Sequence, residues 1–226
     1  MSSPALSDGR ASLRPERASR RTLIFDFDGT LADTLSAIVR MVNDHAAEFH
    51  IRPLNDQDVE NLRGLSNLEI IRKYRIPLVK IPALIIRSQQ ELHHRMDEVE
   101  LFPGIRELVL ALRARGFRLG ILTSNSRANV QKLLRAKNLD VFDFIHAEPH
   151  LLGKTRALLH LIRQHDLILD EILYIGDEVR DIEACRKISV AVAAVSWGFH
   201  RRDTLSRAQP TFLVDTPQEI LSILEA

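Results

Sequence analysis

From Gly116 onward the chain alternates short β-rich runs with helical stretches, and this alternation constrains its fold more than any other feature. Arg118-Leu-Gly-Ile-Leu-Thr123 reads as a strand and Arg127 to Lys137 as a helix. Phe142-Asp-Phe-Ile145 then reads as a strand and Lys154 to His165 as a helix. Glu171-Ile-Leu-Tyr-Ile175, Ser189 to Val195 and Thr211 to Val214 are further strand candidates, separated by helices at 179–187 and 216–225. Strands joined through helices of this length pair in parallel by right-handed crossovers. The predicted fold class is therefore α/β, with an open, Rossmann-like parallel sheet.

Another strand of that sheet lies far upstream. Thr22-Leu-Ile-Phe-Asp-Phe27 is a short β-rich run ending in carboxylates and Gly29, the pattern of a buried strand followed by a turn. After it, apolar side chains recur at helical spacing: Leu35, Ile38, Val39, Val42, Ala46 and Phe49 over 33–50, Leu68, Ile71 and Tyr74 over 67–75, and Leu84, Ile85 and Leu92 over 83–99. No convincing strand falls in this stretch. Phe102-Pro-Gly104 breaks the chain, and Pro103 can open a new helix running to Arg115. The expected organisation is an α/β core of residues 21–32 and 102–226, a small all-helical cap domain inserted at 33–101, and a poorly ordered tail at 1–20.

Composition narrows the function. A chain of 226 residues, 45% of them hydrophobic, can hold one good core plus a smaller attached module. No apolar run approaches the ~18–20 residues that span a bilayer, so no membrane partner is expected. Residues 1–21 lack the apolar stretch of a secretory signal, and Asp8 and Glu16 weigh against a transit peptide. Cys185 is the sole cysteine; no internal disulfide can form, and a reducing, cytoplasmic location is expected. The 31 Lys and Arg against 30 Asp and Glu leave a net charge of +1, which gives no field for non-specific nucleic-acid binding. The expected partner is a small molecule. The oligomeric state, monomer or homodimer, is left open.

Ligands of open α/β sheets bind beyond the carboxyl ends of the strands, so the polar residues there are read together. They are Asp26, Asp28 and Thr30 after the first strand, Thr123, Ser124 and Asn125 after the second, and Gly176, Asp177 and Asp181 after a later one, with Lys154 at a helix start. Asp26 and Asp28 are costly to bring together unless a cation offsets their repulsion. With Asp177, carbonyls and waters they suit a hard ion such as Mg²⁺. No Cys/His set stands at usable spacing for zinc, and the nine histidines form no evident triad. A hydroxyl at Thr123, side-chain or backbone N–H groups of Ser124 and Asn125, and the Lys154 ammonium make a site for a phosphoryl dianion. A carboxylate can serve as the in-line nucleophile, giving an acyl phosphate that water hydrolyses. A second carboxyl can protonate the leaving oxygen and then activate the water. Each residue also has a plainer use, Asp in turns and caps and Asp181 against a helix dipole; their convergence favours catalysis.

Asp26-Phe-Asp28-Gly-Thr-Leu-Ala-Asp-Thr34 resembles the first motif of the haloacid dehalogenase superfamily. Leu122-Thr123 resembles its second motif, Lys154 its third and Gly176-Asp177-Glu-Val-Arg-Asp181 its fourth. The resemblance implies Asp26 as nucleophile, Asp28 as general acid/base, and Mg²⁺ held by Asp26, Asp177 and the backbone carbonyl of Asp28. It implies Thr123 and Lys154 as phosphate ligands, Asp181 orienting Lys154 or a metal-bound water, and Thr30 in a supporting place. The dehalogenase branch needs neither the second aspartate nor a metal, so Asp28 with Asp177 points to phosphoryl transfer. The helical insertion is similar to the cap of the phosphoglycolate phosphatase and β-phosphoglucomutase branch, and Ser196-Trp-Gly-Phe199 looks like phosphoglycolate phosphatases. The implied activity is that of a Mg²⁺-dependent phosphatase, a phosphoric monoester hydrolase acting on a small phosphorylated metabolite. A phosphomutase is the alternative, with a pyrophosphatase or nucleotidase behind it. In the cap, Arg63-Gly64-Leu-Ser66 sits where related caps reach the substrate, making Arg63 and Gly64 candidate contacts. His93 and His94 are adjacent on a helix and project differently, and Trp197 reads as packing.

Overall fold

The computed structural model describes residues 21–47, 52–65, 67–73, 79, 81–148 and 153–225. The expected tail at 1–20 lies outside them, as do the expected helix ends at 50 and 75. Six parallel strands form one sheet: β1 (Thr22–Phe25), β2 (Arg118–Thr123), β3 (Phe144–Ala147), β4 (Ile172–Gly176), β5 (Ala191–Val195) and β6 (Phe212–Val214). Their order is β3-β2-β1-β4-β5-β6. The chain builds outward from β1 through β2 to β3, then returns to the other side of β1 with β4. The carboxyl ends of β1 and β4 thus flank a topological switch point, where a ligand crevice opens in such sheets. This is the α/β fold expected from the alternating pattern.

Alternating side chains send β1 into two cores. Leu23 and Phe25 join one with α5 (Ile105–Ala114), α6 (Arg127–Ala136) and α10 (Pro217–Glu225). Ile24 joins the other with α7 (Lys154–Gln164), α8 (Val179–Lys187) and α9 (Arg202–Arg207). Every residue of β1 and β4 is buried, as a sheet covered by helices on both faces requires. Each such Leu, Ile or Phe contributes about 1.5–3 kcal/mol, so the central strands are rigid mounts for whatever follows them.

Five of the six strands shift by one or two residues from their expected limits, β2 alone matching them, and two of the shifts have a visible cause. β1 stops at Phe25 because the Phe27 carbonyl accepts the amides of Thr30, Leu31 and Ala32 (3.4, 3.0 and 3.0 Å), which turns the chain away from the sheet. β3 begins two residues late because the Asp143 carboxylate, paired with Arg113, takes the Leu119 amide (2.8 Å) in place of a main-chain partner.

Between β1 and α5 lie α1 (Leu35–Asp44), α2 (Asp56–Leu62), α3 (Asn67–Lys73) and α4 (Ile81–Arg95). Among the described residues this segment has no strand. Its two ends run side by side: Ala32 forms an antiparallel bridge with Leu101, and Asp33 donates to the Glu100 carbonyl (2.9 Å). α2, a seven-residue helix with few apolar side chains, has no apolar periodicity to mark it in the sequence. Its signal is a capping box, in which Asn55 accepts the Asp58 amide and Asp58 accepts the Asn55 amide. α9 was also unforeseen.

Candidate active site

Asp26 is the first residue past β1, and its amide still bonds to the Ile175 carbonyl of β4 at 2.8 Å. That bond aims its side chain beyond the sheet edge. The Phe27 amide donates to Asp26 Oδ1 at 2.8 Å, and the Lys154 ammonium pairs with Asp26 Oδ2. Lys154, in the first turn of α7, pairs equally with Asp181 Oδ1. Lys154, Asp26 and Asp181 are all buried.

Asp177 follows β4 and is fully buried. Thr30 Oγ1 donates to its Oδ1 (2.7 Å) and the Phe199 amide to its Oδ2 (2.7 Å). The space around it depends on two glycines. Gly29 has φ +78°, and a Cβ there would lie 2.1 Å from Asp177 Oδ2. A Cβ on Gly198 would lie 2.2 Å from the Gly29 carbonyl oxygen and 2.4 Å from Asp177 Oδ2. Asp181 both caps and pairs: its Oδ2 accepts the Glu178 amide at 2.9 Å, at the start of α8. Asp26, Asp177 and Asp181 each present a carboxylate oxygen within 4.8 Å of the others.

The electrostatics follow from burial. Burial, then the charges of Glu178, Asp26 and Asp181, push the Asp177 carboxyl well above the ordinary carboxylate range. Burial and the Asp26 charge push Asp28 up to about 6, against a lowering hydrogen bond from Asn125. Burial opposes the charge on Lys154, but Asp181 and Asp26 outweigh it and hold the ammonium above its ordinary value. Arg180 donates to Glu178 (2.6 Å), while its Nε and Nη1 are buried without hydrogen-bond partners.

The remaining expected residues fall around this centre. Thr123 is buried at the end of β2, and its hydroxyl accepts the Asn125 amide at 2.9 Å. Asn125 Nδ2 donates to Asp28 Oδ1 at 2.9 Å. Ser124 contributes its carbonyl, which accepts from Gln89 of α4. Arg63 follows α2, and its guanidinium donates to the Gly198 carbonyl (2.9 Å) and the Phe199 carbonyl (3.2 Å). A Cβ on Gly64 would meet the Arg201 guanidinium at 2.6 Å. Trp197 packs against the core and donates its indole N–H to the Thr30 carbonyl (3.1 Å).

Several site residues escaped the sequence reading. His200 accepts the Val179 amide on Nδ1 (2.9 Å), so its Nε2–H donates to the Leu65 carbonyl (2.9 Å). Gly198 and Asn129, beside Asp177 and Asn125, have roles set by distant partners. The expectation that the histidines form no triad is corrected: His146, Glu148 and His160 each bring a ligand atom within 4.8 Å of the others. His146 and Glu148 lie at the end of β3 and His160 on α7, a pairing that sequence spacing does not reveal.

The chain is similar to several known proteins. Residues 23–195 match the family of haloacid dehalogenase-like hydrolases. A phosphoglycolate phosphatase of Synechococcus elongatus is 37% identical over 202 residues, 89% of this chain and 95% of that protein. The pyrophosphatase PpaX of Bacillus cereus is 30% identical over 212 residues, 90% of this chain and 95% of that protein. The solved structure of a haloacid dehalogenase-like family hydrolase from Streptococcus pneumoniae superposes with a TM-score of 0.74 at 23% identity, covering 91% of this chain and 98% of that one.

Proposed function

Because the chain belongs to the haloacid dehalogenase-like hydrolases, we propose that it is a Mg²⁺-dependent phosphatase of a small phosphomonoester, with phosphoglycolate the leading substrate. One observation carries this reading: Lys154 is held between Asp26 and Asp181 in the interior, beside Asp177. The buried carboxylates outnumber the ammonium, and such an excess of negative charge is costly unless a cation joins it. The donors are all hard oxygens, which fits Mg²⁺. Asp26, Asp177 and the backbone carbonyl of Asp28 would hold the ion, with Thr30 and Asp181 behind them. When bound, it would offset charge on the phosphoryl oxygens.

Asp26 attacks phosphorus, its carboxylate oriented by the Phe27 amide and Lys154. The bond to the leaving oxygen breaks, and that oxygen takes the proton of Asp28. Asp28 then removes a proton from the water that opens the aspartyl phosphate, releasing phosphate and restoring Asp26. The Thr123 hydroxyl, the Ser124 amide and Lys154 bind the non-bridging oxygens of the transferred phosphoryl group, while the Asn125 amide, donated to the Thr123 hydroxyl, orients that hydroxyl. Residues 33–101 act as the cap that excludes water, with Arg63 and Gly64 at its seam with the core. A cytoplasmic location belongs to this reading and is supported by the buried free thiol of Cys185. No helix among the described residues is long and apolar enough to cross a membrane.

Hydrolysis of phosphoglycolate and of an aryl phosphate, with Mg²⁺ and with EDTA, tests the reading. Asp26→Asn is expected to lower kcat by on the order of 10⁴-fold or more; turnover surviving that change overturns the nucleophile. The relative named as a pyrophosphatase favours a second reading, in which inorganic pyrophosphate is the substrate. A higher kcat/KM for pyrophosphate than for phosphoglycolate would select it.

A further inference from the structure

Asn129 lies in the first turn of α6 and is fully buried, with both hydrogens and the oxygen of its amide engaged. Its Nδ2 donates to Asn125 Oδ1 (2.8 Å) and to the Gln89 carbonyl (2.9 Å). Its Oδ1 lies 2.7 Å from His93 Nδ1. A carboxamide oxygen only accepts, so His93 carries its proton on Nδ1. Gln89 and His93 are one turn apart on the same face of α4.

The consequence reaches Asp28. Asn125 Oδ1 accepts from Asn129 Nδ2 and from the Ser126 amide (both 2.8 Å). With the oxygen so fixed, the Nδ2 end must face Asp28 Oδ1 at 2.9 Å. Turning the Asn125 amide over would set donors against both neighbours, a cost that buried polar groups avoid. We propose that Asn129 is a positioning residue, which fixes the Asn125 amide on Asp28 and takes its own orientation from Gln89 and His93 of α4. The seat of the helical segment and the set of the acid/base are then one hydrogen-bonded unit. This rests on the proposed role of Asp28.

The test compares kcat/KM for an alkyl phosphate, whose leaving oxygen needs a proton, with that for 2,4-dinitrophenyl phosphate, whose leaving oxygen does not. Asn129→Asp keeps the side chain's shape but sets an oxygen against Asn125 Oδ1. It is expected to lower kcat/KM for the alkyl ester by about tenfold or more and to leave the dinitrophenyl ester within about threefold, since nucleophile and phosphate contacts stay in place. Asp28→Asn should show the same selectivity more strongly. His93→Ala, at a half-buried position, should show it more weakly, and it carries the test if the Asn129 variant does not fold. Equal losses on both esters mean that Asn129 only holds α6 to α4, and overturn the proposal. No selectivity in Asp28→Asn means instead that the acid/base assignment has failed, and the proposal falls with it.

Discussion

The ammonium of Lys154 and the carboxylate of Asp26 form an ion pair whose side chains are 3% and 4% exposed, although the residues stand 128 positions apart. Lys154 also serves Asp181, so one cation compensates two carboxylates at the sheet edge. Replacing it by the uncharged Met removes the ammonium that both carboxylates share. Breaking a buried pair in this way costs about 3–5 kcal/mol, and Lys154→Met is expected to lose stability on that scale in EDTA. Mg²⁺ should return part of it by neutralising Asp26. Denaturant unfolding with and without Mg²⁺ measures both effects; a variant as stable as the parent in EDTA would contradict this account.

Gly198 has no room for a side chain. An added methyl would press on the Gly29 carbonyl oxygen at 2.2 Å and on the Asp177 side chain at 2.4 Å, and none of these groups is the free end of a flexible chain. Gly198→Ala is expected to destabilise by about 1–3 kcal/mol and to displace Asp177. The Mg²⁺ concentration for half-maximal activity should then rise, whereas damage away from Asp177 would lower activity at unchanged Mg²⁺ dependence.

Much of this centre is legible in the sequence because strand ends bring Asp26, Thr123 and Asp177 together wherever the sheet forms. β2 and α8 have the limits that the pattern predicts, since Gly116 precedes one and acidic capping residues open the other. What is not legible depends on partners far along the chain. Asn129 reads as an ordinary helix residue until Gln89 and His93 are placed beside it, and Gly198 as a turn until Gly29 arrives. Arg63 reads as a candidate substrate contact, and nothing local shows that its guanidinium meets the carbonyls of Gly198 and Phe199.

Arg63 offers a separate test of how the helical segment is held. Its bonds to those carbonyls join that segment to the loop whose Phe199 amide holds Asp177. Hydrogen bonds from a charged group contribute about 1.5–3 kcal/mol. Arg63→Ala is therefore expected to raise KM roughly ten- to hundred-fold with a smaller change in kcat. Steady-state kinetics decide the matter; a fall in kcat at constant KM would place Arg63 in the chemical step instead.

The raised carboxyls give the metal-free protein a defined pH dependence. Asp28 is pushed up to about 6 and Asp177 well above its ordinary 3.8. Each binds a proton more tightly folded than unfolded, so each lowers stability as pH rises from the unfolded value through the folded one. The slope is at most about 1.4 kcal/mol per pH unit for each carboxyl. In EDTA the stability should therefore fall as pH rises from about 4 to about 6, on the order of that slope. Metal binding requires the deprotonated carboxylates, so the rise in melting temperature caused by Mg²⁺ should grow over the same interval. Asp177→Asn separates this effect from histidine titration, since it should flatten the EDTA profile and remove most of the Mg²⁺ increment. Thermal melts of both proteins at several pH values supply the comparison, and an increment that is constant with pH would show that proton release from these carboxyls is not coupled to metal uptake.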